Sequence, residues 1–207
     1  MKSDAIGFGI AGIVFGLIAG WVIGTQQATL RPGGGSSAPP TAAASTAAPG
    51  AAPQAALLDE SKVTAFKSIA EREPSSAAPR VQLANLYFDA ERYEDAIKWY
   101  EEALELQPND ADVSTDLGVS YYYTNQPDRA LSQFQRSLAI NPTHVKTLLN
   151  VGVVRAFGKQ DLVGAEEAWQ QVIQLSPDGP EGQAAKRALD SVRSAHPAGG
   201  ASAGPGA

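Results

Sequence analysis

Residues 77–110 read AAPRVQLANLYFDAERYEDAIKWYEEALELQPND, and residues 111–144 read ADVSTDLGVSYYYTNQPDRALSQFQRSLAINPTH. Laid over one another, the two 34-residue stretches keep step. Leu83-Ala84 falls on Leu117-Gly118, Tyr87 on Tyr121, Ala96 on Ala130, Tyr100 on Phe134, and Leu106 on Ile140. A third unit, 145–179, continues with Val151-Gly152, Ala165, Trp169 and Leu175 after one inserted residue. Pro74, Pro108 and Pro142 are 34 apart, and Pro177 follows 35 later. Apolar residues recur every three to four positions and never alternate, so each unit predicts two helices. Short turns join them at Glu91-Arg92-Tyr93, Asn125-Gln126-Pro127-Asp128 and Gly158 to Asp161. Each proline closes the second helix, because it has no N–H to donate and crowds the preceding turn.

The small residues have a mechanical reading. Two helices approach closely only where side chains are tiny. Ala84, Gly118 and Gly152 on the first helix, with Ala96, Ala130 and Ala165 on the second, mark that approach. The aromatics Tyr100, Phe134 and Trp169 are expected to fill space on the other side. Upstream, residues 57–73 keep Phe66, Ile69 and Pro74 in phase and predict the second helix of an incomplete unit. Downstream, residues 180–195 place Ala185, Leu189 and Val192 on one face, with Lys186, Arg187 and Arg193 elsewhere. Such a helix suits the polar cap that a stacked array needs at its end.

These features resemble the tetratricopeptide repeat (TPR) family, whose unit is a 34-residue helix–turn–helix. The resemblance covers residues 77–179 as repeats 77–110, 111–144 and 145–179, inside a repeat domain at 57–195. It implies an all-α, right-handed helix–turn–helix solenoid. The third unit departs from the pattern. Arg155 stands where a Tyr is expected, Val172 where a small residue is expected, and its turn is one residue longer.

Outside the array the composition changes. Residues 57–195 hold 14 of the 16 Lys+Arg and 21 of the 22 Asp+Glu, so nearly all charge lies in the folded part. Residues 5–24, AIGFGIAGIVFGLIAGWVIG, carry no charge. A helix of about 20 residues spans a hydrocarbon core of about 30 Å, so this run predicts a transmembrane anchor. It exceeds the roughly 7–15 residues of a signal-peptide core, which favours an anchor over cleavage near Val22-Ile23-Gly24. Residues 25–56 form a linker rich in Ala, Pro and Gly. Its stretch from 32 on has no charge, no aromatic and no large aliphatic residue to offset ordering entropy. The tail, 196–207, is similar. Lys2 and the α-amino group before the span and Arg31 after it give little orienting bias. The short N-terminal segment before a long domain predicts a cytoplasmic N-terminus with the array outside, periplasmic in a Gram-negative cell.

Several function classes are set aside. The formal charge of −6 argues against nucleic acid as a partner. The absence of cysteine removes disulfides, zinc ribbons, iron–sulfur clusters and thiol nucleophiles. Residues 7–12, GFGIAG, match a dinucleotide fingerprint in letters only, because no strand precedes them. The two histidines, His144 and His196, form no metal-ligand spacing. Pairs such as Glu101-Glu102 and Glu166-Glu167 lie on amphipathic helices as solvated faces. The expectation is a protein that is not an enzyme and takes no metal or cofactor.

Two interaction surfaces remain. Gly12, Gly16, Gly20 and Gly24 recur every four residues, which on a membrane helix makes a groove for a second helix and predicts docking or a homo-oligomer. On the array, the face of each first helix turned from its own partner runs Val81, Asn85, Phe88; Thr115, Val119, Tyr122; and Leu149, Val153, Ala156. Asp89, Tyr123 and Phe157 flank them. The resemblance implies that this face lines a concave groove binding peptide segments or helices of another protein. The family's best-known groove clamps a C-terminal carboxylate. Asn85 and Lys146 match that set, whereas Val81, Asp116 and Asn150 occupy others of its positions, so no carboxylate clamp is expected. Asp89, Asp112 and Asp116 face only Lys146, which predicts an apolar partner segment with some basic residues. The reading is a membrane-tethered adaptor. The alternatives are a self-associating structural component of the membrane and a secreted binding module released by cleavage.

Overall fold

The computed structural model describes residues 57–195. They form α1 (Glu60–Arg72), α2 (Ala78–Asp89), α3 (Tyr93–Leu106), α4 (Ala111–Tyr123), α5 (Pro127–Ile140), α6 (Val145–Val153), α7 (Leu162–Leu175) and α8 (Pro180–Ala195). Among the described residues there is no strand. Each helix packs on the next, and α4 also meets α6, so the first helices of the second and third repeats lie side by side. The expected anchor at 5–24 with Gly12, Gly16, Gly20 and Gly24, the linker at 25–56 and the tail at 196–207 lie outside the described residues. Among the described residues no helix is long and apolar enough to cross a membrane.

Local chemistry starts and stops these helices. Asp59, Asp110 and Asp161 accept the N–H of Lys62, Val113 and Gly164 at 3.0, 3.0 and 2.9 Å, satisfying donors that a first turn leaves open. The first helix of each repeat ends in a left-handed residue: Glu91 (φ 56°), Asn125 (φ 60°) and Gln160 (φ 57°). In the first two repeats the closure has six-to-one and five-to-two bonds. Arg92 N–H reaches Tyr87 O at 2.8 Å and Glu91 N–H reaches Phe88 O at 2.9 Å. Gln126 N–H and Asn125 N–H do the same to Tyr121 O and Tyr122 O, at 2.8 and 3.0 Å.

The third repeat absorbs its extra residue in the backbone. After α6 the chain widens into a π turn, Val154–Gly158, where Lys159 N–H bonds Val154 O at 3.1 Å. One residue more per turn is what a 35-residue unit must place somewhere. Arg155 braces the widened turn, donating through Nη1 to Gly164 O at 3.3 Å.

The small positions behave as the spacing predicts, but the aromatics do not. Phe134 and Trp169 stand directly over Gly118 and Gly152, not on the far side. A methyl group placed on Gly118 would overlap the Phe134 ring, and one on Gly152 would overlap the Trp169 indole. The missing Cβ therefore leaves the space that each ring fills. Tyr100, Phe134 and Trp169 are fully buried, and Trp169 Nε1 donates to Leu149 O at 3.2 Å.

Candidate binding surface on the first helices

The helices α2, α4 and α6, with the π turn after α6, present the residues assigned to the groove, and the structure divides them. Val81, Asn85, Asp89, Val119, Tyr122, Tyr123, Lys146, Asn150 and Phe157 are partly exposed. Thr115, Leu149, Val153 and Ala156 are buried, so their side chains belong to the packing between repeats and offer nothing to a partner. Phe88 is 8% exposed and sits mainly inside.

Thr115 shows what burial does with a polar residue. Its Oγ1 donates to Ala111 O at 2.7 Å and lies 2.6 Å from Thr147 Oγ1 and 3.0 Å from Ser137 Oγ. His144 Nδ1 lies 2.6 Å from Thr147 Oγ1, and its Nε2 lies 3.2 Å from Asp112 Oδ1. This cluster ties α4, α5 and the start of α6 together and leaves no buried group unsatisfied. It holds the Asp112 carboxyl below the ordinary carboxylate range, chiefly through the hydrogen bond from His144. No sequence signal separated these hydroxyls from groove positions.

The aromatic residues form one patch across the first two repeats. Tyr93 and Tyr123 stack with centroids 4.3 Å apart, and Phe88 meets both edge-on at 5.3 and 6.1 Å. Burial pushes the Tyr93 phenol up to about 12, and that of Tyr123 higher still. Tyr93 was not among the expected groove residues. It opens a second helix at the position taken by Pro127 and Leu162 in the other repeats, so the repeat pattern carried no trace of it. Tyr122 lies beside the π turn, where a Cβ added at Gly158 would come within 3.0 Å of its Cε2 and of Pro127 Cβ.

Polar groups line the same face. Tyr100 donates its hydroxyl to Asn85 Oδ1 at 2.7 Å, linking α3 to α2. Lys146 on α6 donates to Asp116 Oδ1 on α4 at 2.6 Å, with both side chains largely shielded. Asn150 turns its amide back to Lys146 O at 2.8 Å. Asp89 has no hydrogen bond or ion pair among the described residues. Partial burial raises its carboxyl above the ordinary value, and the Asp116 charge adds to the shift.

Two tetratricopeptide repeat models match the chain, over residues 75–143 and 115–180, and together they span just over half of it. No curated protein sequence matches. Among solved structures, the first TPR of Spaghetti (RPAP3), bound to an HSP90 peptide, is 24% identical. It covers 58% of this chain and 92% of its own, with a TM-score of 0.53. The TPR domain of Sgt2 from Aspergillus fumigatus is 23% identical over 63% of this chain and 85% of its own, at 0.55. MamA is 19% identical over 64% and 85%, at 0.54. At these identities the likeness is one of fold. Three helix–turn–helix units in step, small residues under aromatic rings, and both sequence models agree: the chain belongs to the tetratricopeptide repeat family.

Proposed function

We propose that this chain is a membrane-tethered adaptor that holds a segment of another protein in the groove of its repeat array. The observation that carries the groove reading is the set of part-exposed side chains on α2, α4, α6 and the π turn. Val81, Val119, Tyr122 and Phe157 offer apolar area, while Asn85 and Asn150 offer amides beside it. Partly buried aromatics supply large contact area at low entropic cost and dominate binding hot spots. The HSP90 peptide bound by the Spaghetti domain supports the choice of a peptide segment as occupant. The tether rests on the uncharged run 5–24, and the linker at 32–56 gives the array a reach of about 25–30 Å when flexible.

Tyr122 decides between groove and core. It is half-buried, so both roles are open to its ring. Crosslinking from membranes with the array as bait identifies the partner. Against that partner, Tyr122→Ala is expected to weaken affinity by about 1–3 kcal/mol with little loss of thermal stability. A loss of about 3–5 kcal/mol in folding stability, with normal binding by the folded fraction, assigns the ring to the core and removes it from the groove.

A further inference from the structure

Asp89 closes α2 and is half-buried, with no hydrogen bond or ion pair among the described residues. The neighbouring acids differ. Asp116 is engaged by Lys146 at 2.6 Å, and Asp112 by His144 at 3.2 Å. Asp95 is held by Arg92 and Lys98, and Asp128 by Lys159. The exposed acids of the outer faces have water. Asp89 is shielded in part from water and receives nothing in exchange, which costs a folded protein stability.

We infer that the groove seats a lysine or arginine side chain of its partner on the Asp89 carboxylate, within a segment that is otherwise apolar. The inference rests on the groove reading above and names the chemistry of its occupant. Lys146 does not offer an arriving carboxylate a free cation, because its ammonium is committed to Asp116. An acidic segment would meet Asp89 and Asp116 together. A basic one finds a single open carboxylate, with the apolar area of Val81, Val119 and Phe157 in the same part-exposed set. Charge complementarity of this kind selects among partners, since like charges brought together cost several kcal/mol. Burial, with the Asp116 charge adding to it, raises the Asp89 carboxyl, as befits a carboxylate that no cation faces.

The test uses the full chain in zwitterionic lipid nanodiscs, panned against a random dodecapeptide library with counter-selection on empty nanodiscs. Wild type is expected to enrich peptides with Lys or Arg among apolar residues. Asp89→Asn is expected to lose that enrichment and to bind a wild-type-selected basic peptide about tenfold or more weakly. Asp190→Asn, which removes an exposed charge on α8, is expected to change neither. Thermal unfolding of Asp89→Asn should move up, which separates lost binding from lost folding. Persistent Lys/Arg enrichment in Asp89→Asn, or equal loss in Asp190→Asn, overturns the seat in favour of diffuse attraction. Enrichment of neutral or acidic peptides that Tyr122→Ala abolishes also overturns it, while leaving the groove reading intact. No enrichment at all overturns both.

Discussion

Glu91 and Gln160 hold a backbone conformation that carries a steric penalty for any side chain with a Cβ. They do so because closure of the first helix requires a left-handed residue at that place. Asn125 occupies the equivalent place in the second repeat, and its short amide tolerates the conformation better. Glu91 is exposed and makes no side-chain bond that the turn depends on. Glu91→Gly is therefore expected to stabilise the array by about 0.5–1 kcal/mol, the relieved strain outweighing the added entropy of the unfolded chain. Asn125→Gly should change stability by much less. Urea unfolding of the two variants side by side checks this, and equal effects would show that the strain is absorbed elsewhere. Nothing in the letters marks Glu91 as left-handed, since Glu is ordinary in helices. Only the 34-residue step that aligns it with Asn125 carries a trace of it.

At the scale of helices, the contact between first and second helix was legible because it demands tiny side chains at fixed positions. The place of the aromatics was not. A spacing of three to four residues says that Trp169 faces inward, but not which neighbour its ring covers. Gly152 shows the answer, since an added methyl would meet the indole. Gly152→Ala is expected to cost about 1–3 kcal/mol through overpacking, despite alanine's better helix propensity. Far-UV circular dichroism during urea unfolding reads the loss, since Trp21 and Trp99 emit alongside Trp169. A gain in stability would mean that the ring has room to withdraw. The same ambiguity explains Thr115, Leu149 and Val153. A first helix inside an array buries one face on its own partner and another on the next repeat. Periodicity sees apolar or small residues on both and cannot tell a neighbour from a ligand. The residues that remain part-exposed, such as Val119 and Asn150, are those that neither packing face reaches.

For the whole molecule, the array accounts for nearly all the charge and for every described contact, while the proposed tether is a matter of composition alone. The proposed tether rests on the 20 uncharged residues of the run 5–24. In that proposal a helix across a bilayer would satisfy both its backbone and its side chains. The flanking charges Lys2, Asp4 and Arg31 nearly balance, so charge gives the run little orienting bias. In the proposed arrangement the N-terminus stays in the cytoplasm and the array crosses the membrane. If the cell is a Gram-negative bacterium, protease added to spheroplasts is then expected to remove the array. Cleavage should begin in the linker, where no side chain can build a protective core. The folded repeats should persist longer than the linker, giving a transient soluble fragment that starts near residue 57. Protection in spheroplasts with digestion only after lysis would reverse the topology. An array recovered wholly in the soluble fraction of untreated cells would remove the tether and leave the groove proposal standing by itself.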